Sequence, residues 1–384
     1  MGTLRILAAG VAIIVVSAIP GFLPGSLAPR IAGDFRFGSP ELGIVVAAFY
    51  AVSAIASGPA GNLVDRVGAS AGTRLTCAVA VVTMFGAALL AHSTAALVVI
   101  VGLSGAGNAL STPGSAALIA AGLSERWRGF GYGTAQGGAS VASLLAGLAL
   151  PGIAIPFGWR WVFVAVGVLA VVVVLSVPGG IRRPLGDAGG APLPRGSTRL
   201  GPAAYLLAAT AALAATATIS MISFLVLYAL QVGFDERQAG LLLALVGGAG
   251  ALGRPAAGLL AGRRGGGRAL VWAAAVLCCG SAGFLLLATG RPAAVVLGAL
   301  LAGGLGASWS ALGTLATTAA APSRPAAAVG VMMTGLFTGA VAGPLMVGLA
   351  SGHAGYQLVW VVNAGLAVAA SGLLLVVRRI AFAR

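Results

Sequence analysis

The sequence predicts an all-α membrane protein of twelve transmembrane helices, arranged as two six-helix halves related by pseudo-twofold symmetry. Three observations predict it. Of 384 residues, 59% are hydrophobic and only 8% charged, with a mean hydropathy of +1.05, too little charge to cover the surface of a soluble domain. Apolar runs of about 20 residues recur along the whole length, each long enough to cross about 30 Å of hydrocarbon as a helix. The chain also repeats itself at an offset of roughly 197 residues.

In lipid only helices and closed barrels satisfy their own backbone groups. These runs are continuous rather than alternating, which excludes a barrel. The expected spans are 5–28, 41–62, 74–92, 95–121, 130–153, 159–178, 201–230, 238–261, 269–288, 293–320, 326–350 and 357–377. Residues 4–19 have the basic start and apolar stretch of a signal peptide. The apolar character continues to about Ala28 and eleven spans follow, so this is a retained first span. The gaps are short except at 179–200, GGIRRPLGDAGGAPLPRGSTRL. Such Gly, Pro and Arg content builds no core. The expected organisation is an N-terminal bundle over 1–178, a linker over 179–200 and a C-terminal bundle over 201–384.

The formal net charge is +15, and every basic residue is Arg. In a soluble protein such an excess points to nucleic acid. Here the arginines fall in the gaps between apolar runs, so the expected partner is the lipid bilayer and not nucleic acid. Sixteen lie in segments on the side of the chain termini, and five (Arg30, Arg36, Arg160, Arg237 and Arg291) on the other; Arg254 alone lies inside a span. Positive charge is retained in the cytoplasm. The expectation is a multi-pass protein of the plasma (inner) membrane with both termini cytoplasmic.

The repeat matches Gly61-Asn-Leu-Val-Asp-Arg-Val-Gly68 to Gly258-Leu-Leu-Ala-Gly-Arg-Arg-Gly265, and Phe37 and Gly43 to Phe234 and Gly240. Gly158-Trp-Arg-Trp161 falls on Gly355-Tyr-Gln-Leu358, and Gly105 and Gly107 fall on Gly304 and Gly306 after a two-residue slip. Six spans per half give both halves the same topology, with the symmetry axis along the membrane normal.

The segment Gly61 to Gly68, between spans two and three, resembles the loop signature of the major facilitator superfamily, G-x-L-a-D-r-x-G. Gly61 permits close helix approach, Asp65 and Arg66 stand at the membrane edge, and Gly68 allows a tight turn. The resemblance implies that Asp65 latches the halves in one access state. The second copy has Gly262 at the acid position, so the latch is asymmetric. Phe157-Gly-Trp-Arg-Trp-Val-Phe163 is similar to the family's entry to span six, where Trp159 and Trp161 suit the interface belt. In span eleven, Gly339, Gly343 and Pro344 follow the family's G-x-x-x-G-P pattern and read as helix packing and hinge.

Two features bear on the solute. No Asp or Glu lies within a span, and Val101 stands where proton-coupled members carry an Arg; proton coupling is unsupported, and any coupling ion stays unassigned. Arg254, in Gly253-Arg254-Pro255, lies eight residues before Gly262, about 12 Å inside at 1.5 Å per residue. An Arg at such depth costs about 2.5–3.5 kcal/mol. It fits either a counter-charge for an anionic solute or snorkelling to the headgroups. An Arg at this place resembles the oxalate:formate, monocarboxylate and nitrate branches of the family. Here Gly250 and Ser57 replace the further charged residues that the monocarboxylate and nitrate branches add. Polar residues suited to a solute path are Tyr50, Asn108, Gln136, Ser220, Tyr228 and Trp309.

The resemblance implies a secondary transporter that moves a small solute by alternating access, with a small organic or inorganic anion as leading class. Two other readings stay open. Efflux of a drug-like compound is favoured by the apolar spans. A non-transporting sensor of the same fold would carry a sizeable soluble domain, and the longest gap is 179–200. No nucleophile–base set, metal cluster or phosphate loop is present, so neither catalysis nor a cofactor is expected. Cys77, Cys278 and Cys279 lie in apolar runs without pair or metal spacing and read as small buried residues. A monomer is expected.

The orientation is open to a direct check. A cysteine at Ser197, in a background lacking Cys77, Cys278 and Cys279, should resist an impermeant thiol reagent in intact cells. Labelling from outside would overturn the assignment.

Overall fold

The computed structural model describes residues 3–122, 131, 134–177, 201–262, 266–320 and 325–382. The expected linker at 179–200 lies outside these residues. Twelve helices are long and apolar enough to cross a membrane: α1 (Ile6–Ile31), α2 (Ser39–Val64), α3 (Ala69–Leu90), α4 (Thr94–Ile119), α5 (Thr134–Phe157), α6 (Trp159–Ser176), α7 (Pro202–Gln231), α8 (Glu236–Ala257), α9 (Gly267–Ala288), α10 (Pro292–Ala320), α11 (Ala328–Gly352) and α12 (Gly355–Phe382). No end departs from its expected position by more than five residues. The largest shifts, at the start of α3 and the end of α12, carry the helix past its apolar run, where charged side chains such as Arg378 and Arg379 are solvated.

The half-repeat is visible in the backbone. Gly158 (φ 98) stands between α5 and α6 and Gly355 (φ 74) at the junction of α11 and α12, each in the left-handed region that favours glycine. The helices between them and their neighbours turn back at equivalent places. The two-residue slip also has a structural counterpart. Helix α10 winds as a π-helix over Leu300–Leu305 and as a 3₁₀-helix over Gly306–Ser308. A π turn holds more residues than an α turn, so this stretch takes up part of the second half's surplus.

Three contacts dominate the join between the halves: α1 on α7, α2 on α11 and α5 on α8. The last two exchange under the pseudo-twofold. Each is a close backbone approach through glycine. A Cβ on Gly25 would lie 3.1 Å from Ser223 Cα, one on Gly348 2.7 Å from the Ser39 carbonyl oxygen, and one on Gly247 2.7 Å from Leu144 Cα. Gly335, Gly339 and Gly343 instead seat α11 on α7 inside the second half, where a Cβ on Gly339 would lie 3.0 Å from Ala212 Cα. The Pro344 carbonyl faces Gly43 across the seam.

Among the described residues, this seam is closed by side-chain contacts at one side. The side where α1 begins and α12 ends is called here the terminal side, and the other the far side. On the far side, Arg30 of α1 pairs with Glu236 of α8 at 2.6 Å, and Ser39 and Tyr356 share a hydrogen bond of 2.8 Å between their hydroxyls. On the terminal side, a Cβ on Gly58, Gly61 or Gly330 would meet nothing within 4 Å. Among the described residues the halves therefore part towards the terminal side.

Two expectations from sequence are corrected. Trp159 is not an interface anchor; it is 4% exposed, and its indole N–H donates to Asp34 at 3.0 Å. Arg160 also donates to Asp34 and lies 4.4 Å over the Trp159 ring. The carboxylate pulls the indole inward, and Trp161 is left exposed. Cys77 is buried as expected, but Cys278 and Cys279 are exposed on α9. In a bilayer the outside is apolar too, so an apolar residue need not be buried.

The Arg30–Glu236 side chains are 37% and 32% exposed, so the pair contributes about 0.2–1 kcal/mol. Glu236→Gln should raise the population open on the far side by at most about fivefold. Spin labels at the exposed positions Arg36 and Gln231 report it as growth of the longer-distance component in pulsed dipolar spectra. An unchanged distribution would show that the pair seals nothing.

Candidate functional site

The site is built around Arg254. Helix α8 meets α5 in antiparallel register, with Gly247 against Leu144 and Gly250 against Ser140 Oγ. One further turn puts Arg254 level with Gln136 and Gly137. That level lies beyond the last close α5–α8 contact, where the halves begin to part. Pro255 supplies no N–H, so the carbonyl one turn earlier loses its helical donor.

Arg254 is half-buried, and its Nε is fully buried with no hydrogen-bond partner. Among the described residues its guanidinium has neither an ion pair nor a hydrogen bond. Tyr50, from α2 of the other half, is within electrostatic reach of it. Tyr50 is 7% exposed and braced edge-on against Phe49 at 5.0 Å between ring centroids. Its hydroxyl makes no hydrogen bond among the described residues. A free cation and a free phenol, one from each half, thus face the same space.

The other expected residues divide. Gln136 is exposed, makes no hydrogen bond among the described residues, and shares Arg254's level. Asn108 donates to Ser53 Oγ at 3.2 Å, and Ser53 donates to the Phe49 and Gly105 carbonyls. This ties α4 to α2 one turn from Tyr50. Ser220 is fully buried; it accepts from Asn363 Nδ2 at 3.1 Å and donates to the Thr216 carbonyl, between α7 and α12. The Tyr228 hydroxyl donates to the Leu287 carbonyl, and its ring meets Trp360 at 5.3 Å and Tyr356 at 5.5 Å in a far-side aromatic cluster. Trp309 is 3% exposed in a core cluster with Leu207, Leu270, Leu312 and Met332. The structure does not bring these last three to Arg254.

Sequence reasoning passed over Ser308, the residue before Trp309. Its hydroxyl is buried without a partner and would lie 3.0 Å from a Cβ on Gly253. Helical serines here commonly donate to a carbonyl one turn back, as Ser53 and Ser57 do; Ser308, at the end of the 3₁₀ stretch Gly306–Ser308, does not. The run Gly303-Gly304-Leu305-Gly306 was the available signal.

Of the expected latch, Gly68 makes the turn between α2 and α3 with φ 85, its N–H bonded to the Val64 carbonyl at 2.8 Å. Arg66 is exposed and Gly61 faces open space. The Asp65 side chain lies outside the described residues. Among the described residues no group of His, Cys, Asp or Glu could hold a metal ion.

No curated protein matches the sequence. Solved structures do match the backbone. One is a bacterial homologue of the human lysosomal transporter Spinster in an inward-facing, unoccupied conformation, with a TM-score of 0.74 at 18% identity, covering 100% of this chain and 98% of that one. Another, inward-facing and occupied, gives 0.69 at 18% identity, covering 98% and 95%. At that identity the likeness speaks for the fold alone. The sequence itself matches the Major Facilitator Superfamily over residues 9–320. With most of its length in that match and twelve helices in two like halves, the chain belongs to the major facilitator superfamily of membrane transporters.

Proposed function

We propose that this transporter moves a small organic or inorganic anion across the plasma (inner) membrane by alternating access, with Arg254 as the counter-charge. One observation carries the reading: a guanidinium eight residues, about 12 Å, before the end of its helix at Gly262, with no ion-pair or hydrogen-bond partner among the described residues. A charge at that depth is costly, and an anion arriving as cargo would supply the missing partner. The guanidinium fork suits a carboxylate or nitrate in two-point contact.

The arginine bias makes the terminal side cytoplasmic, so the described conformation is inward-facing. Solute enters between the parted halves and meets Arg254. Tyr50 and Gln136, on the opposite half, complete its contacts only when the halves approach on the cytoplasmic side. A ligand shifts a conformational equilibrium by its differential affinity for the two states. A solute that touches both halves in the closed arrangement therefore drives closure. Asp65, at the cytoplasmic end of α2, then holds that closure, while Arg30 and Glu236 separate outside. No coupling ion is assigned, and the transporter acts as a monomer.

A thermal-shift screen of the purified protein against carboxylates, inorganic anions and lipophilic compounds identifies the class. Stabilisation by lipophilic compounds alone would favour drug efflux. Two variants test the residue. Arg254→Gln should reach the membrane and lose anion uptake, because removing a buried charge eases insertion. Arg254→Lys should keep weak uptake, because it retains the charge and loses the fork. Snorkelling instead makes Arg254→Lys silent, and full uptake by Arg254→Gln would sink the proposal. For the latch, Asp65→Asn should slow cycling by a shift of about 1–3 kcal/mol between access states, with solute affinity near wild type. Normal cycling with many-fold weaker affinity in both states would contradict the role.

A further inference from the structure

We infer that the far-side cleft between α5 and α8 is a binding site for one anionic phospholipid, its phosphate on Arg237 and an acyl chain in the slot below. The cleft has a volume of about 450 Å³ and is lined by Leu148, Pro151, Gly152 and Ile155 of α5 and by Arg237 and Leu241 of α8. That is within the size range of ligand clefts, about 300–1,000 Å³. It opens sideways on helices that cross the membrane: Leu148 is 41%, Ile155 36% and Leu241 44% exposed. What lies beside it is therefore lipid, not the solute path.

The sequence Leu150-Pro-Gly-Ile-Ala154 makes the slot. This stretch winds as a π-helix, which sets its side chains apart from the regular α5 rows. Gly152 leaves the slot unfilled, since a Cβ there would meet nothing within 4 Å. The floor is shut, because a Cβ on Gly240 would lie 2.8 Å from Pro151 Cδ and 2.9 Å from the Gly147 carbonyl oxygen. The cleft is a groove open to the bilayer and shut on its inner side.

Arg237 is one turn before Leu241, on the same helix face, and so stands over the slot at the membrane edge. It is exposed and makes no ion pair or hydrogen bond among the described residues. The carboxylates beside it are engaged: Asp235 accepts from the Gln238 N–H at 2.7 Å, and Glu236 pairs with Arg30. An unpartnered guanidinium above an apolar slot matches the two ends of a phospholipid. Free phosphate would leave the slot empty. Because α5 and α8 belong to different halves, a lipid seated here braces the far-side seam and favours the conformation closed on that side.

Native mass spectrometry of the purified protein, supplied with phosphatidylglycerol, phosphatidylcholine or inorganic phosphate, tests the site. Phosphatidylglycerol should be retained about fivefold over phosphatidylcholine, as expected of one basic residue worth about 1 kcal/mol at the membrane surface. Arg237→Gln should lose one retained phosphatidylglycerol. Gly152→Leu, which fills the slot and keeps the charge, should lose the same lipid. Arg291→Gln, an equal charge change on the same side and outside the cleft lining, should keep it. Wild-type retention by Arg237→Gln or by Gly152→Leu would overturn the site. So would equal loss in Arg291→Gln, or thermal stabilisation by inorganic phosphate equal to that by the lipid.

Discussion

Along α2–α11 and α5–α8 the two halves meet backbone to backbone, and the reach of that contact decides what the rest of the molecule can do. Glycine permits the approach, with Gly43 and Gly348 on one seam and Gly147, Gly240 and Gly247 on the other. Both seams run from the far side to about mid-membrane and stop. Beyond them Gly58, Gly61 and Gly330 face open space. Helices in lipid gain little from a hydrophobic drive, since the surroundings are as apolar as the side chains. Close packing of small residues therefore does most of the joining. Such contacts are non-directional and can be made again elsewhere along the same helices. Gly58 and Gly61 of α2 and Gly330 of α11 are small residues on the terminal side where a second such contact can form.

Arg254 sits at the point where the seam ends. Had α5 and α8 stayed in contact one turn further, the register would have pressed it against Gln136 and Gly137. The parting leaves the guanidinium without a partner among the described residues. Among the described residues Tyr50 of the other half makes no hydrogen bond, and Gln136 is exposed. Polar groups that a closed helix pair would have to satisfy internally are held open towards one side. In an apolar medium an unmet hydrogen bond is costly, and that cost is a standing demand for a ligand of matching chemistry.

Most of the fold was legible in the sequence because hydropathy in a membrane protein reports the solvent directly. Each apolar run became a helix, and the half-repeat placed Gly158 and Gly355 at equivalent left-handed turns. Arg254 was legible for the same reason, as a charge where none is expected. What the sequence hid depended on the rotation of helices about their axes. Trp159 looked like a belt residue until Asp34 was seen to accept its N–H. Ser220 and Tyr228 looked like path residues, yet each meets a partner on its own half. Ser308 was invisible because periodicity does not encode whether a helical hydroxyl finds a partner. Arg30 and Glu236 lie 206 positions apart, and no local pattern joins them.

Alternating access also requires that neither closed arrangement be too stable. A solute can move the halves between states only by its differential affinity, and reversing a 1:99 population takes about 5.5 kcal/mol. A small anion with a few charge-assisted contacts supplies about 1.5–3 kcal/mol from each. The far-side seal must then be worth only a few kcal/mol net. Its features fit that limit. The one ion pair across the described far side is more than a third exposed at Arg30, where screening leaves about 0.2–1 kcal/mol. The Ser39–Tyr356 bond joins two neutral hydroxyls, worth about 0.5–1.5 kcal/mol. A buried carboxylate–arginine pair at the same place would cost about 3–5 kcal/mol to break, enough to lock the transporter facing inward. The Arg160–Asp34 pair, about as exposed, lies within one half, where no step of the cycle has to break it.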